Sequence, residues 1–225
     1  ASYVVGMDFQ ADPYMPAAVI KLFRDPLHPT HPDDVLAVVV DEVIVDKAHE
    51  TDLVEALEGG RPELLVGRWT REGRIEGEGY DPDDCGVVMD ATGFFQDGEH
   101  KPGKTSEDWL RKAGWRFLHY PIKDKKTNPL VEERASVANV RLKNGAGRRR
   151  LFVLAHCLRT IRGMRGWERV AKGAKPKSSG EHVHIVDAVT YPIYRFFARP
   201  PARKPKPPTY DRVQRRPQLA RRVGF

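Results

Sequence analysis

Three aspartates stand where carboxylates could do chemistry. Asp8 directly follows a short apolar run, Val4-Val5-Gly6-Met7. Asp90 closes a second, Gly86-Val87-Val88-Met89, after which Ala91-Thr92-Gly93 turns the chain away. An acid at the end of a buried strand faces the crevice at the sheet's edge, where open α/β sheets bind their ligands. Asp187 lies within His184-Ile185-Val186-Asp187-Ala188, and a charge among such neighbours must be paired, protonated or metal-bound. Three carboxylates brought together repel one another unless a cation neutralises them. Hard oxygen ligands suit Mg²⁺ or Mn²⁺. Two such ions about 4 Å apart can activate a water and stabilise the leaving 3′ oxygen in phosphodiester cleavage. His184, three residues before Asp187, shares its helix face and is a candidate fourth ligand or proton carrier. Each acid alone has a plainer use as a turn former or helix cap. Taken together they favour a metal site.

The elements that must position these residues are legible in the hydrophobic pattern. Tyr3–Met7, Ala17–Phe23 and Val35–Val45 read as strands, joined by Pro- and Asp-rich turns into an antiparallel meander. A helix is expected over Thr51–Leu57, stopped by Gly59-Gly60. Strand Gly86–Met89 follows, then a helix over Thr105–Ala113 stopped by Gly114, then strand Trp115–His119. Helix Asn128–Leu142 carries Val131, Ala135, Ala138 and Leu142 at helical spacing, and strand Arg150–Leu154 comes after Asn144-Gly145. Cys157–Val170 is expected to be helical, with Leu158, Ile161, Met164 and Trp167 at near-helical steps. The last helix, His182–Phe197, presents Val186, Val189, Ile193 and Phe196, and Pro192 is expected to bend it. Strands first and alternating elements afterwards make a mixed α/β order.

Charge divides the chain in two. Of 38 Lys/Arg and 31 Asp/Glu, residues 199–225 hold nine bases and one acid, leaving 29 bases against 30 acids in residues 1–198. The Pro- and Arg-rich stretch 199–225 cannot bury enough apolar surface to order itself and reads as a flexible basic tail on a domain spanning 1–198. The basic excess therefore belongs to the tail, and a case for nucleic acid must rest on local clusters in the body. No apolar run approaches the roughly 20 residues that span a bilayer, and the start lacks a signal-peptide pattern, so neither a membrane nor secretion is expected. Two cysteines, Cys85 and Cys157, without CxxC spacing give no disulfide framework and fit a reducing cytoplasm. With no initiator Met ahead of the first strand, the chain reads as an excised domain, expected to be monomeric.

The order of short motifs resembles the nuclease domain of the tailed-phage large terminase, an RNase H-like enzyme. The likeness runs from Val5-Gly6-Met7-Asp8 through Val39-Val40-Asp41-Glu42 and Met89-Asp90-Ala91-Thr92-Gly93. It continues in Lys126-Thr127-Asn128-Pro129 before Val131-Glu132-Glu133-Arg134 and Val140-Arg141-Leu142. It ends in Ser178-Ser179-Gly180, His184-x-x-Asp187-Ala188 and Tyr191-Pro192-Ile193-Tyr194-Arg195. The resemblance covers about Tyr3 to Phe197. It implies an RNase H-like mixed sheet flanked by helices, with Asp8, Asp90 and Asp187 as ligands of two Mg²⁺ or Mn²⁺ ions. The implied activity is endonucleolytic cleavage of concatemeric double-stranded phage DNA during genome packaging in the host cytoplasm. It also implies an ATPase motor domain upstream, a portal protein and a small terminase subunit as partners. Residues 59–84 look longer than the family's usual link.

Basic clusters at Lys123, Lys125 and Lys126, at Arg148, Arg149 and Arg150, along Arg159, Arg162, Arg165 and Arg169, and at Lys172, Lys175 and Lys177 are candidate phosphate contacts. No recognition helix or zinc finger appears, so little sequence preference is expected. Three rival readings stand beside the nuclease. One is another RNase H-like enzyme of resolvase or transposase type, and another is a DNA-binding module without catalysis. The third is a nucleotide hydrolase, because Gly98-Glu99-His100-Lys101-Pro102-Gly103-Lys104-Thr105 satisfies GxxxxGK[ST] between a strand and a helix. In such enzymes the acidic metal-binding strand follows the phosphate loop, whereas Asp41-Glu42 precedes it by some sixty residues. The prediction is no measurable ATP binding in calorimetry; a micromolar affinity abolished by Lys104→Ala would overturn it.

Overall fold

The computed structural model describes residues 2–9, 14–26, 35–46, 50–59, 79–90, 106–118, 128–166 and 182–198. Six strands form one sheet: β1 (Ser2–Met7), β2 (Tyr14–Arg24), β3 (Val35–Asp46), β4 (Cys85–Met89), β5 (Arg116–Phe117) and β6 (Leu151–Val153), in the order β5-β4-β1-β2-β3-β6. The first three are antiparallel neighbours, as the pattern predicted. The other pairs, β1 with β4, β4 with β5 and β3 with β6, are parallel. Helices α1 (Glu50–Leu57) and α2 (Ser106–Lys112) cover one face. Helices α3 (Val131–Leu142), α4 (Leu158–Gly166) and α5 (Val183–Phe197) cover the other. Gly59 and Gly114 take φ of 85° and 90° just past α1 and α2, the left-handed stops read from the sequence. Among the described residues no helix is long and apolar enough to cross a membrane.

Strand β2 starts three residues earlier than expected and includes Pro16. Proline is tolerated there because its carbonyl faces β1, accepting the Asp8 amide at 3.3 Å. The donor it lacks would point to the same side, at the very end of the β1 pairing. Strand β3 carries a bulge: Val19 pairs with Asp41 but Ile20 pairs with Val39, so Val40 is extra. One extra residue flips the alternation. Ala37 and Val39 therefore face α3 and α5, Val43 and Val45 face α1, and Glu42 and Ile44 point toward α4 and α5.

Two inward faces differ from the expected stripes. Leu158 of α4 is exposed, and Thr160 and Gly163 face inward instead. A Cβ on Gly163 would lie 2.6 Å from Val186 Cγ2 and 2.9 Å from the His182 carbonyl, so α4 meets the start of α5 too closely for a large side chain. Phe196 is exposed, whereas α5 is buried on nearly every side from Ile185 to Ile193. On α3, Arg134 and Arg141 are buried beside Ala135 and Ala138. Arg141 donates to the Val35 carbonyl at 2.6 Å and stacks 3.7 Å from the Phe197 ring centroid, bracing α3 against the sheet.

The closest approach is between α5 and β1. A Cβ added to Gly6 would fall 1.8 Å from the Ala188 carbonyl oxygen and 2.7 Å from Pro192 Cγ. The helix runs on through Pro192, whose missing N–H leaves the Ala188 carbonyl without its helical donor. That carbonyl is the group that meets Gly6. Gly6→Ala is therefore predicted to destabilise the protein by about 3 kcal/mol, through forced movement of packed backbone. Gly145→Ala, where the added methyl enters open space, should stay within about 0.5 kcal/mol. Urea denaturation of both variants checks the contrast, and equal midpoints would refute the close packing.

Candidate active site

Parallel pairing of β1 with β4 sets Met7 opposite Met89. Asp8 and Asp90 are thus the next residues of two adjacent strands. Backbone bonds continue the ladder beyond them, from the Asp90 amide to the Met7 carbonyl at 3.2 Å and from the Asp8 amide to Pro16. Both acids point to the α5 face, two residues beyond Gly6 and Val88, and both are buried, at 2% and 4% exposure. The Gly6 contact lays α5 across these strand ends. It brings His184 to Asp8, Nδ1 to Oδ2 at 2.9 Å. Asp187, one turn on, has 21% of its side chain exposed.

Each carboxylate has its own partner. Asp8 has His184. Asp90 Oδ1 accepts from Asn128 Nδ2 at 2.7 Å, just before α3. Asp187 Oδ1 accepts from the buried Arg134 of α3 at 2.7 Å, and the same Arg134 nitrogen donates to Thr190 Oγ1 at 2.8 Å. Beneath them lies Tyr191, packed with Val4 and Val88 and stacked under the Arg134 guanidinium at 4.1 Å. Burial pushes its phenol well above the ordinary range. Arg134 opposes that shift, and Asp90, Asp187 and Asp8 reinforce it. Tyr14 meets the His184 ring edge-on at 6.0 Å, and Arg159 stacks over Tyr14 at 5.0 Å.

Burial raises the Asp8 carboxyl from 3.8 to about 6, despite the His184 hydrogen bond, and the charges of Asp187 and Asp90 push the same way. Asp8 thus senses both of the other acids. Among the described residues no three His, Cys, Asp or Glu side chains are arranged to hold one ion. One oxygen of each acid is engaged by His184, Asn128 or Arg134. The oxygen-rich donor set and its incompletely neutralised charge nevertheless suit a hard divalent cation. Cysteine chemistry does not arise: Cys85 and Cys157 are free and buried, with burial pushing the Cys85 thiol up to about 11 and that of Cys157 higher still.

Asn128, Arg134 and Tyr191 were not singled out as site residues from the sequence. Arg134 did leave a signal: it sits four residues before Ala138 on the inward stripe of α3, where a charge requires a partner. Asp41 and Glu42 have local roles. Asp41 accepts from Tyr80 Oη and from the Glu42 amide, both at 2.9 Å. Glu42 accepts from the Arg159 and Thr160 amides at 2.9 and 2.7 Å, satisfying orphan donors at the start of α4. Strand β3 is also separated from β4 by β1 and β2, which counts against pairing Asp41-Glu42 with the phosphate-loop match. Residues 98–105 themselves lie outside the described residues. So do Lys123, Lys125, Lys126, Lys172, Lys175, Lys177, Arg169 and the tail 199–225. Arg148 and Arg149 are exposed and Arg150 is half-buried. They lead into β6 beside Ala37, at the Ser2 end of the sheet, about 20 Å from Asp8 by strand rise.

Asp8 has a consequence for stability without metal. Its folded-state pKa lies above its unfolded one, so the folded protein binds more protons between about pH 4 and 6. The stability this contributes is present below the unfolded value and lost as pH rises through the folded value. The loss should be about 3 kcal/mol. Denaturation in EDTA at pH 4.5 and 7.5 should show Asp8→Asn gaining on the wild type at the higher pH. Parallel pH profiles would contradict this.

No family model and no curated protein matches the chain. Solved structures do. The large terminase of a thermophilic bacteriophage, in complex with ATP-gamma-S, superimposes with a TM-score of 0.54 at 13% identity, covering 86% of this chain and 40% of that one. Its complex with ADP gives 0.53 at 14% identity, covering 86% and 39%. The P22 large terminase nuclease domain gives 0.50 at 17% identity, covering 88% of this chain and 83% of that domain. The chain thus spans about two-fifths of the thermophilic phage's terminase and matches most of the isolated P22 nuclease domain. At these identities the likeness is one of fold, and it agrees with the mixed RNase H-like sheet expected from the sequence: this chain has the fold of a phage large-terminase nuclease domain.

Proposed function

We propose that this chain is a metal-dependent endonuclease that hydrolyses double-stranded DNA with little sequence preference, acting on concatemeric viral DNA during packaging. The observation that carries this reading is the convergence of Asp8 and Asp90 on adjacent strand ends beneath the helix bearing Asp187 and His184. A terminase-type role is supported by the shared fold. Asp8, Asp90 and Asp187 would hold Mg²⁺ or Mn²⁺, two ions in the active complex. Bound there, the metal supplies Lewis acidity and a water activated at neutral pH.

The remaining work falls to the chain's own side chains. Asn128 fixes the Asp90 carboxylate and Arg134 fixes that of Asp187. His184 Nδ1 shares a hydrogen bond with Asp8 Oδ2, and the imidazole would serve as a proton carrier for a group entering the crevice. Arg159, stacked on Tyr14, flanks the site on α4, and with the exposed Arg162 of the same helix would take backbone phosphates. Lys123, Lys125, Lys126, Lys172, Lys175 and Lys177 would extend that grip, and Arg148, Arg149 and Arg150 would meet a duplex farther along. The partners in this reading are an upstream ATPase motor domain, a portal protein and a small terminase subunit, in the cytoplasm of the host.

Plasmid cleavage in Mn²⁺, Mg²⁺ and EDTA, beside Asp90→Ala checked for folding, tests the proposal. Cutting should require the metal and fall at least about a hundredfold in the variant, the loss of roughly 3 kcal/mol of charge stabilisation. Retarded DNA mobility that ignores Mn²⁺, with no cleavage, would replace the nuclease with a binding module.

A further inference from the structure

We infer that Arg134 is a positioning residue for the metal site, restraining the Asp187 carboxylate that would serve as a ligand; this rests on the metal-dependent reading above. Asp187 rides on α5, and a single-bonded carboxylate at a partly exposed helix position turns freely unless something grips it. Arg134 is that grip. It reaches from the first turn of α3 and is buried. One of its nitrogens is shared between Asp187 Oδ1 at 2.7 Å and Thr190 Oγ1 at 2.8 Å. Thr190 in turn donates to the Asp187 backbone carbonyl at 3.2 Å, so both ends of that residue are tied to one small network.

The guanidinium is itself immobilised, lying over the Tyr191 ring at 4.1 Å. Tyr191 belongs to the cluster with Val4 and Val88, from the two strands that end in Asp8 and Asp90. The orientation of Asp187 is therefore referred, through Arg134 and Tyr191, to the strands carrying the other two acids. A planar donor fork stacked on an aromatic ring performs this task, and a flexible ammonium does so less well. The charge matters as well. Arg134 offsets one of three crowded carboxylates, so the acids can stay gathered before a cation arrives.

The test uses the whole chain without DNA, titrated with Mn²⁺ and read by the paramagnetic resonance signal of the free ion. Arg134→Gln should weaken Mn²⁺ binding by about tenfold or more, in the range lost when outer partners of metal ligands are removed. Arg134→Lys should recover part of that affinity. Thr190→Val, which keeps the ion pair but removes the second tether, should weaken binding by a smaller factor. Circular dichroism and urea midpoints identify any variant that fails to fold. If Arg134→Gln is such a variant, the Lys and Val variants carry the test. Unchanged Mn²⁺ affinity in the folded variants overturns the inference and leaves Arg134 as a packing residue. Tighter binding overturns it too, by showing that the guanidinium competes with the metal. A wild type that binds Mn²⁺ but cuts no DNA removes the nuclease reading and leaves Arg134 to stand or fall on the titration. A wild type that takes up no Mn²⁺ defeats both.

Discussion

Mutual repulsion of carboxylates in a place with little water is the constraint around which this structure is arranged. Strand pairing alone delivers Asp8 and Asp90 to adjacent buried positions. The partners of the acids come from the elements packed over the sheet. His184 comes from α5, Asn128 from the segment entering α3, and Arg134 from the first turn of α3. Each of these hydrogen bonds engages a single carboxylate oxygen. The balance is incomplete at Asp8, where burial outweighs the histidine hydrogen bond. That residual charge gives a cation something to do at this end of the sheet.

A second constraint is distance. For a helix to deliver His184 to a strand residue, its backbone must come nearly into contact with the strand, and Gly6 permits this. Pro192 fits the same logic from the other side, because it leaves the Ala188 carbonyl without a helical donor where the strand backbone passes. Gly163 repeats the device where α4 meets the start of α5. The bulge at Val40 then turns Glu42 toward α4, whose first amides it caps. Small residues and one extra strand residue thus fix the geometry of helices whose side chains meet the strand-end acids.

Much of this was legible in the sequence, and the parts that were not share a cause. Apolar runs located β1, β3 and β4 to within a residue or two, and glycine stops located the ends of α1 and α2. The strand-terminal position of Asp8 and Asp90, and the apolar surroundings of Asp187, marked them before any packing was known. Periodicity failed where burial depends on how near a neighbour comes. It set Leu158 in an apolar series and Phe196 on the inward stripe, although α4 turns its small residues inward and α5 is enclosed mainly over its middle turns. It also passed over Arg134 and Arg141, because a buried guanidinium becomes acceptable only once its acceptors are known. The Val40 bulge left no trace in a run of valines that would suit either face.

The pairing of Asp8 with His184 spans 176 residues of chain. His184 and Asp187 both belong to α5, so the cluster around Asp8 is incomplete until that helix is seated. Assembly of the site is therefore coupled to completion of the fold. Contacts of such long sequence separation are slow to form, so Asp8 and His184 meet late in folding.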